Sequence, residues 1–245
     1  MSTIKSARTW SIVVFGIALL LLAATAYAIV GSRNGLTDYR SAFGLLGDIA
    51  RVGIGALVIS IVVLLYSLKN RQGTVYAAAA TVLLAVLVGT MVLNQAAPPP
   101  GPLINDITTD LDDPPAFHAV IPLRPPDSNP IEYGGPEVAA AQRQVHPDIH
   151  PIQSDLPPPA AFDRARQVAE DMGWDIVAAD ASTGIIEAVD TTPFFRFKDD
   201  VVIRVRPSGQ GSRVDLRSRS RLGRSDLGKN AARITAYEAE FEKAG

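Results

Sequence analysis

The spacing of apolar residues changes character along this chain. Over residues 10–30, WSIVVFGIALLLLAATAYAIV, they run on without a charge, and residues 52–68 and 74–93 repeat the pattern. Runs of this length, rising 1.5 Å per residue as helix, match a hydrocarbon core of about 30 Å. Three of them within so short a stretch predict three transmembrane helices (about 10–30, 52–68 and 74–93) rather than buried core helices. A signal peptide competes for the first run, because Lys5 and Arg8 precede it. The run is long for that role, and two more follow.

Beyond residue 158 the periods become those of a water-soluble fold. Phe162, Ala165, Val168, Ala169 and Met172 recur at 3-4 spacing, predicting a helix over 158–172 with Pro159 in its first turn and Gly173 past its end. Residues 174–179 and 185–189 read as strands about the turn 180–184. The pair 200–206 and 213–219 alternates more clearly. Val201, Ile203 and Val205 oppose Val202, Arg204 and Arg206. Val214, Leu216 and Ser218 oppose Arg213, Asp215, Arg217 and Arg219. A period of two sends each set to one face. The apolar set is expected to meet the helices and the arginine set to face solvent, with Asp215 pairing to Arg204 or Arg206 across the strands. Phe194, Phe195 and Phe197 are compatible with a further strand and with core or edge packing. Residues 227–244 predict a last helix, capped by Ser225 or Asp226, burying Ile234, Tyr237, Ala239 and Phe241. The fold class is therefore α+β: a three-helix membrane anchor, then a two-layer domain of about four antiparallel strands covered by two helices.

Between these parts lies a proline-rich connection. The expected division is 1–95, 96–158 and 159–245. AAPPPGP at 96–102 reads as a stiff spacer. The rest shows no helical period and leaves two readings open. One is a disordered linker. The other is an irregular wrap held by Phe117, Val120, Ile121, Ile131, Tyr133, Ile149 and Ile152, with a short edge strand within 142–152. His146 and His150 have zinc-site spacing, but Pro147 and Pro151 hold them out of a helix. No metal or other cofactor is expected.

Charge refines the picture. The chain has no cysteine, which excludes disulfides and thiol chemistry, and its net charge is −2. Yet residues 196–233 hold eleven Lys and Arg against four Asp, a local net of +7. Lys5, Arg8, Lys69 and Arg71 flank the spans so as to place the N-terminus in the cytoplasm and the C-terminal domain on the periplasmic side of a bacterial inner membrane. Arg33, Arg40 and Arg51 weigh against that orientation. No acidic or histidine side chain lies within a span, so the spans read as an anchor rather than an ion path.

The stretch 217–234, RSRSRLGRSDLGKNAARI, resembles the uncharacterised bacterial family DUF1499. The resemblance rests on Asp215, Arg217, Ser218, Ser220, Arg221, Gly223, Ser225, Asp226, Gly228, Asn230, Arg233 and Ile234. It extends to Asp106–Asp110 with Pro114, Pro115 and Phe117, and to Arg196–Arg204, covering about 103–241. It implies a domain and its limits, and no established activity.

Three functions stay open on these grounds. The first is an anchored domain binding an anionic ligand, a lipid headgroup or an envelope protein through Arg204, Arg217, Arg219, Arg221, Arg224, Ser225, Asp226, Asn230 and Arg233. The same arginines could instead form a solvated charge ladder with Asp199, Asp200, Asp215 and Asp226. The second is an envelope hydrolase using Asp199, Asp200 or Asp226 with Ser218, Ser220 or Ser225. No nucleophile elbow, phosphate loop or zinc signature supports it. The third is a membrane assembly scaffold. The lipid bilayer is the one partner all three require. Nucleic acid is not expected, because stacking aromatics are not interleaved with the basic residues.

Overall fold

The computed structural model of the protein describes residues 4–93, 101–193 and 195–243. Most of the 96–102 spacer and Phe194 lie outside these, as does the side chain of Lys5. The chain divides into two compact units, residues 1–97 and 98–245.

The first unit is three helices, α1 (Ile4–Arg33), α2 (Tyr39–Asn70) and α3 (Thr74–Leu93), each long and apolar enough to cross a membrane. Helix α2 begins well before the apolar run at 52. Asp38 caps it, accepting the Ser41 N–H at 3.0 Å. Its first turns carry Arg40, Asp48 and Arg51, so hydropathy alone stops short of them. Val14, Ala18, Val63, Ala77, Ala80 and Leu84 bury the seam between the helices. The alanines allow backbones to approach, and close packing is what holds helices together in lipid. Leu20, Val58, Val62, Leu65, Val82 and Val86 point outward, as a helix bundle solvated by hydrocarbon requires.

The second unit is built on an antiparallel sheet of six strands. These are β1 (Asp106–Thr108), β2 (Ile152–Ser154), β3 (Asp175–Asp180), β4 (Ile185–Thr191), β5 (Lys198–Ser208) and β6 (Gly211–Ser220). The order is β1-β6-β5-β4-β3, and β2 pairs with β6 beyond β1. The four strands expected from alternation are its centre and one edge. The other two come from the proline-rich stretch, where three residues are too short to show a period. That stretch also forms a 3₁₀ turn (Ile121–Leu123) and helix α4 (Gly135–Val145), the latter contrary to the expectation of no helix. Gln142 of α4 explains its presence. Its side chain accepts the Thr108 N–H at 3.0 Å and donates to the Thr108 carbonyl at 2.6 Å, closing the free edge of β1. Residues 195–197 form a turn, and Phe195 stacks on Phe197 there instead of extending a strand.

Helices α5 (Pro158–Asp171) and α6 (Lys229–Lys243) cover one face of the sheet. Ile186, Ile203, Val214 and Leu216 are fully buried beneath them, with Phe162, Val168, Ile234, Tyr237 and Phe241. Each such side chain contributes about 1.5–3 kcal/mol. Tyr237 stacks on Trp174 at 5.4 Å between centroids and donates its hydroxyl to the Ala165 carbonyl at 2.9 Å. The other face is covered too, by residues 109–133. Phe117, Val120 and Ile131 pack there on Ile185, Val189 and Val202. The domain has three layers where two were expected: helices, sheet, and an irregular strap.

Gly184 ends the β3–β4 turn at φ 71°, and a Cβ there would stand 2.2 Å from the Val205 carbonyl oxygen. Left-handed backbone costs an L-residue roughly 1–2 kcal/mol, and the clash adds to it. Gly184→Ala is therefore expected to lower the unfolding free energy by at least that much in urea titrations followed by tryptophan fluorescence.

Candidate functional site

The alternation of β5 and β6 places Arg204, Arg206, Arg213, Asp215, Arg217 and Arg219 on the strap side of the sheet. Register then supplies their partners. Asp106 and Asp200 stand on either side of Arg219, and Asp215 faces Arg204. The arginine face is covered in part: Arg204, Arg206 and Arg213 are half-buried, and the others are buried. Arg217 is 2% exposed, Arg219 7% and Arg221 3%, because the strap lies over them.

Two paired clusters result. In the first, Arg217 grips Asp106 with two bonds, Nε to Oδ1 at 2.9 Å and Nη2 to Oδ2 at 2.8 Å. Its other N–H groups reach the Pro115 carbonyl at 3.2 Å and the Ile131 carbonyl at 2.9 Å. Its guanidinium lies 4.9 Å from the Phe117 ring centroid and 5.3 Å from that of Tyr133, a desolvated cation–π sandwich worth on the order of 2 kcal/mol. Arg219 shares Asp106. Beside them Asp200 takes Arg221 at 2.6 Å and also Arg124 of the strap, while Arg221 reaches the Leu123 carbonyl at 2.8 Å. Burial, together with the charges of Arg221 and Arg219, pushes the Arg124 guanidinium below its ordinary pKa, and Asp200 opposes this. Burial likewise pushes the Tyr133 hydroxyl up to about 12.

The second cluster lies toward the β5–β6 turn. Asp215 accepts Arg204 at 3.1 Å, Arg206 at 2.9 Å and Arg213 at 2.7 Å. Asp110 of the strap meets the same three at 3.1, 3.1 and 2.6 Å, and Asp113 meets Arg204 and Arg206. Burial pushes the Asp110 carboxyl up. The Asp113 and Asp112 N–H groups with Arg213 and Arg204 outweigh it and hold the carboxyl below its ordinary pKa. Glu187 of β4 completes the clasp, accepting the N–H groups of His118, Ala119 and Val120 at 2.9, 2.9 and 3.0 Å.

The remaining predicted residues lie elsewhere. Asn230 and Arg233 belong to the helix side. Arg233 binds Asp190 and Asp199, each at 2.6 Å. The Asn230 side chain accepts the Ser218 hydroxyl at 2.7 Å and donates to Ser220 Oγ and the Asn105 carbonyl, both at 3.0 Å. Asp226 caps α6, accepting the Gly228 N–H at 2.8 Å and the Asn230 N–H at 2.7 Å, and Ser225 accepts the Leu227 N–H at 3.2 Å. Of the nine, only Arg224 is exposed. The predicted surface is thus split between both sheet faces and a loop. Asp199 and Asp200 point to opposite faces for the same reason, and Ser218 and Ser220 are buried. Asp199, Asp200 and Asp215 pair with arginines as expected, but in a largely buried network rather than a solvated ladder; Asp226 is not part of it, and Asp106, Asp110 and Asp113 join it. Sequence reasoning missed Glu187 and Arg124 too. A glutamate inside the apolar run of β4 was the available signal.

Two surface features complete the domain. A polar cleft of about 440 Å³ lies by the β5–β6 turn, lined by Gln153, Ser154, Asp155, Ser208, Gln210 and Gly211. At the opposite end of the sheet, Arg196, Lys198, Arg224 and Lys229 are exposed, and none makes a salt bridge among the described residues.

A family model described as a protein of unknown function (DUF1499) matches residues 106–241. No curated protein matches the chain.

Removing one partner of a buried ion pair costs about 3–5 kcal/mol, whereas a surface charge contributes within about 0.5 kcal/mol. Asp106→Ala should therefore lower the unfolding free energy by the former amount and Arg224→Ala by the latter, in parallel urea titrations. A depressed carboxylate contributes stability that is complete above its unfolded pKa and lost as pH falls through the folded one. Unfolding free energy should decline as pH drops below about 4, and Asp110→Asn should flatten that decline.

Proposed function

The chain belongs to the DUF1499 family, and we propose that it is a membrane-anchored binding domain, held on the periplasmic side of a bacterial inner membrane, that recognises an anionic ligand without chemistry. Flanking Lys and Arg support the orientation. The observation that carries the binding reading is the contrast between two sets of cations. Arg204, Arg217, Arg219 and Arg221 are neutralised by Asp106, Asp200 and Asp215 inside the domain. Arg196, Lys198, Arg224 and Lys229 stand exposed at one end of the sheet, where guanidinium and ammonium groups are free to meet phosphate or carboxylate. The internal arginines thus shape the domain, and recognition falls to this corner. A hydrolase is disfavoured by its own candidates. Ser218 and Ser220 are committed to Asn230, and Asp199 and Asp200 to arginines.

Because the chain has no cysteine, a single one reports cleanly. Arg224→Cys should react with a membrane-impermeant maleimide in unlysed spheroplasts, and reaction only after lysis would refute the orientation. Full-length protein in phosphatidylcholine nanodiscs should bind pyrophosphate, weakening as salt rises. Replacing Arg196, Lys198, Arg224 and Lys229 together by Gln should abolish that binding.

A further inference from the structure

The basic end of the sheet also holds the exposed large apolar side chains among the described residues of this unit. Leu103 is 52% exposed, Ile121 46%, Leu123 53% and Leu227 53%. Hydrogen bonding brings their segments together. The Ser220 N–H donates to the Asn105 carbonyl at 2.9 Å, and the Asp226 N–H to the Ile104 carbonyl at 3.3 Å. The Asn129 N–H donates to the Arg221 carbonyl at 2.6 Å, and the Arg221 N–H to the Lys198 carbonyl at 3.1 Å. Residues 101–105, 121–129, 195–198 and 221–229 therefore lie together at one end of the sheet. Within them the exposed charges are Arg196, Lys198, Arg224 and Lys229 against Asp127. Asp226 is turned inward to its helix.

Two residues here are held in left-handed backbone although they are not glycine: Arg196 at φ 58° and Leu227 at φ 54°. They are the only such residues among those described in this unit. The conformation is unfavourable for L-residues and persists where neighbours enforce it. Both side chains, one cation and one leucine, are exposed to solvent.

Leucines interleaved with Lys and Arg are the composition of surfaces that lie at a bilayer interface, apolar groups in the acyl boundary and cations among anionic headgroups. The chain itself enters this end. Twelve residues, 94–105, separate the last apolar helix from β1, and they include Pro98, Pro99, Pro100 and Pro102. At no more than about 3.6 Å per residue, that tether keeps these loops within reach of a bilayer holding the anchor.

Resting on the anion-binding corner proposed above, we infer that its ligand is the anionic lipid surface itself: this end of the domain docks on the membrane, Leu103, Leu123 and Leu227 at the acyl boundary and Arg196, Lys198, Arg224 and Lys229 on the phosphates. Docking weakens with ionic strength. Each cation removed lowers the ratio of docked to free domain roughly fivefold.

The test uses full-length protein in nanodiscs of phosphatidylglycerol or of phosphatidylcholine. An environment-sensitive dye is attached at Leu123→Cys, at Leu227→Cys, or at Ala181→Cys on the opposite end. The expected result is blue-shifted emission, quenched by acyl-chain spin labels, at 123 and 227 in phosphatidylglycerol only. It should be absent at 181 and lost when the four cations become Gln. Insertion equal in both lipids would overturn headgroup recognition. Solvent-like emission in both lipids, with pyrophosphate still bound, would overturn lipid docking and leave the anion-binding corner standing. Solvent-like emission without pyrophosphate binding would overturn both.

Discussion

The structure of the domain depends on neutralising a row of arginines that the β-sheet buries. Arg217, Arg219 and Arg221 recur at a spacing of two along and just past one strand, so all three meet the same layer. Once residues 109–133 cover that layer, water is no longer available to them. Stripping a charge of water costs several kcal/mol, and only a well-placed opposite charge with hydrogen bonds offsets it. Asp106 and Asp200 occupy the flanking strands at that level, and strap carbonyls take further N–H groups of Arg217 and Arg221. The net stability such a network adds over an apolar core is small. What it enforces is pairing: a strap shifted by one residue would leave several charges unmatched at once. Glu187, with three backbone N–H donors from the strap, fixes the same register from a third strand.

That arrangement separates what shapes the domain from what is free to bind. Groups already satisfied inside offer little to a ligand, since recognition would first require breaking short charge-assisted bonds. Ser218, Asn230 and Arg233 are committed in the same way on the helix side. At the loop end, Arg196, Lys198, Arg224 and Lys229 remain exposed beside Leu103, Leu123 and Leu227.

The two units solve opposite solvation problems. The helical unit exposes leucine and valine all round and buries alanine, which suits a surround of hydrocarbon. The sheet unit buries its leucines and isoleucines against helices and keeps a few at one end. Those few lie beside residues 103–105, which lead into β1.

How far the fold was legible follows from the range of the interactions. The three apolar spans, the helices α5 and α6, and the strands β3 to β6 follow from residues a few positions apart, because helical and strand periods are local. Helix α4 and strands β1 and β2 are short and proline-flanked, and they exist because Gln142 holds Thr108 and because β6 offers an edge. The alternation of Arg213 to Arg219 determined that these side chains share a face. Whether that face meets water could not be read from it. The answer came from Asp106, Asp110 and Phe117, about a hundred residues earlier in the chain. A period of two distinguishes the two sides of a sheet, but only the tertiary structure decides what covers each, and so which charges form the interior and which remain for a partner.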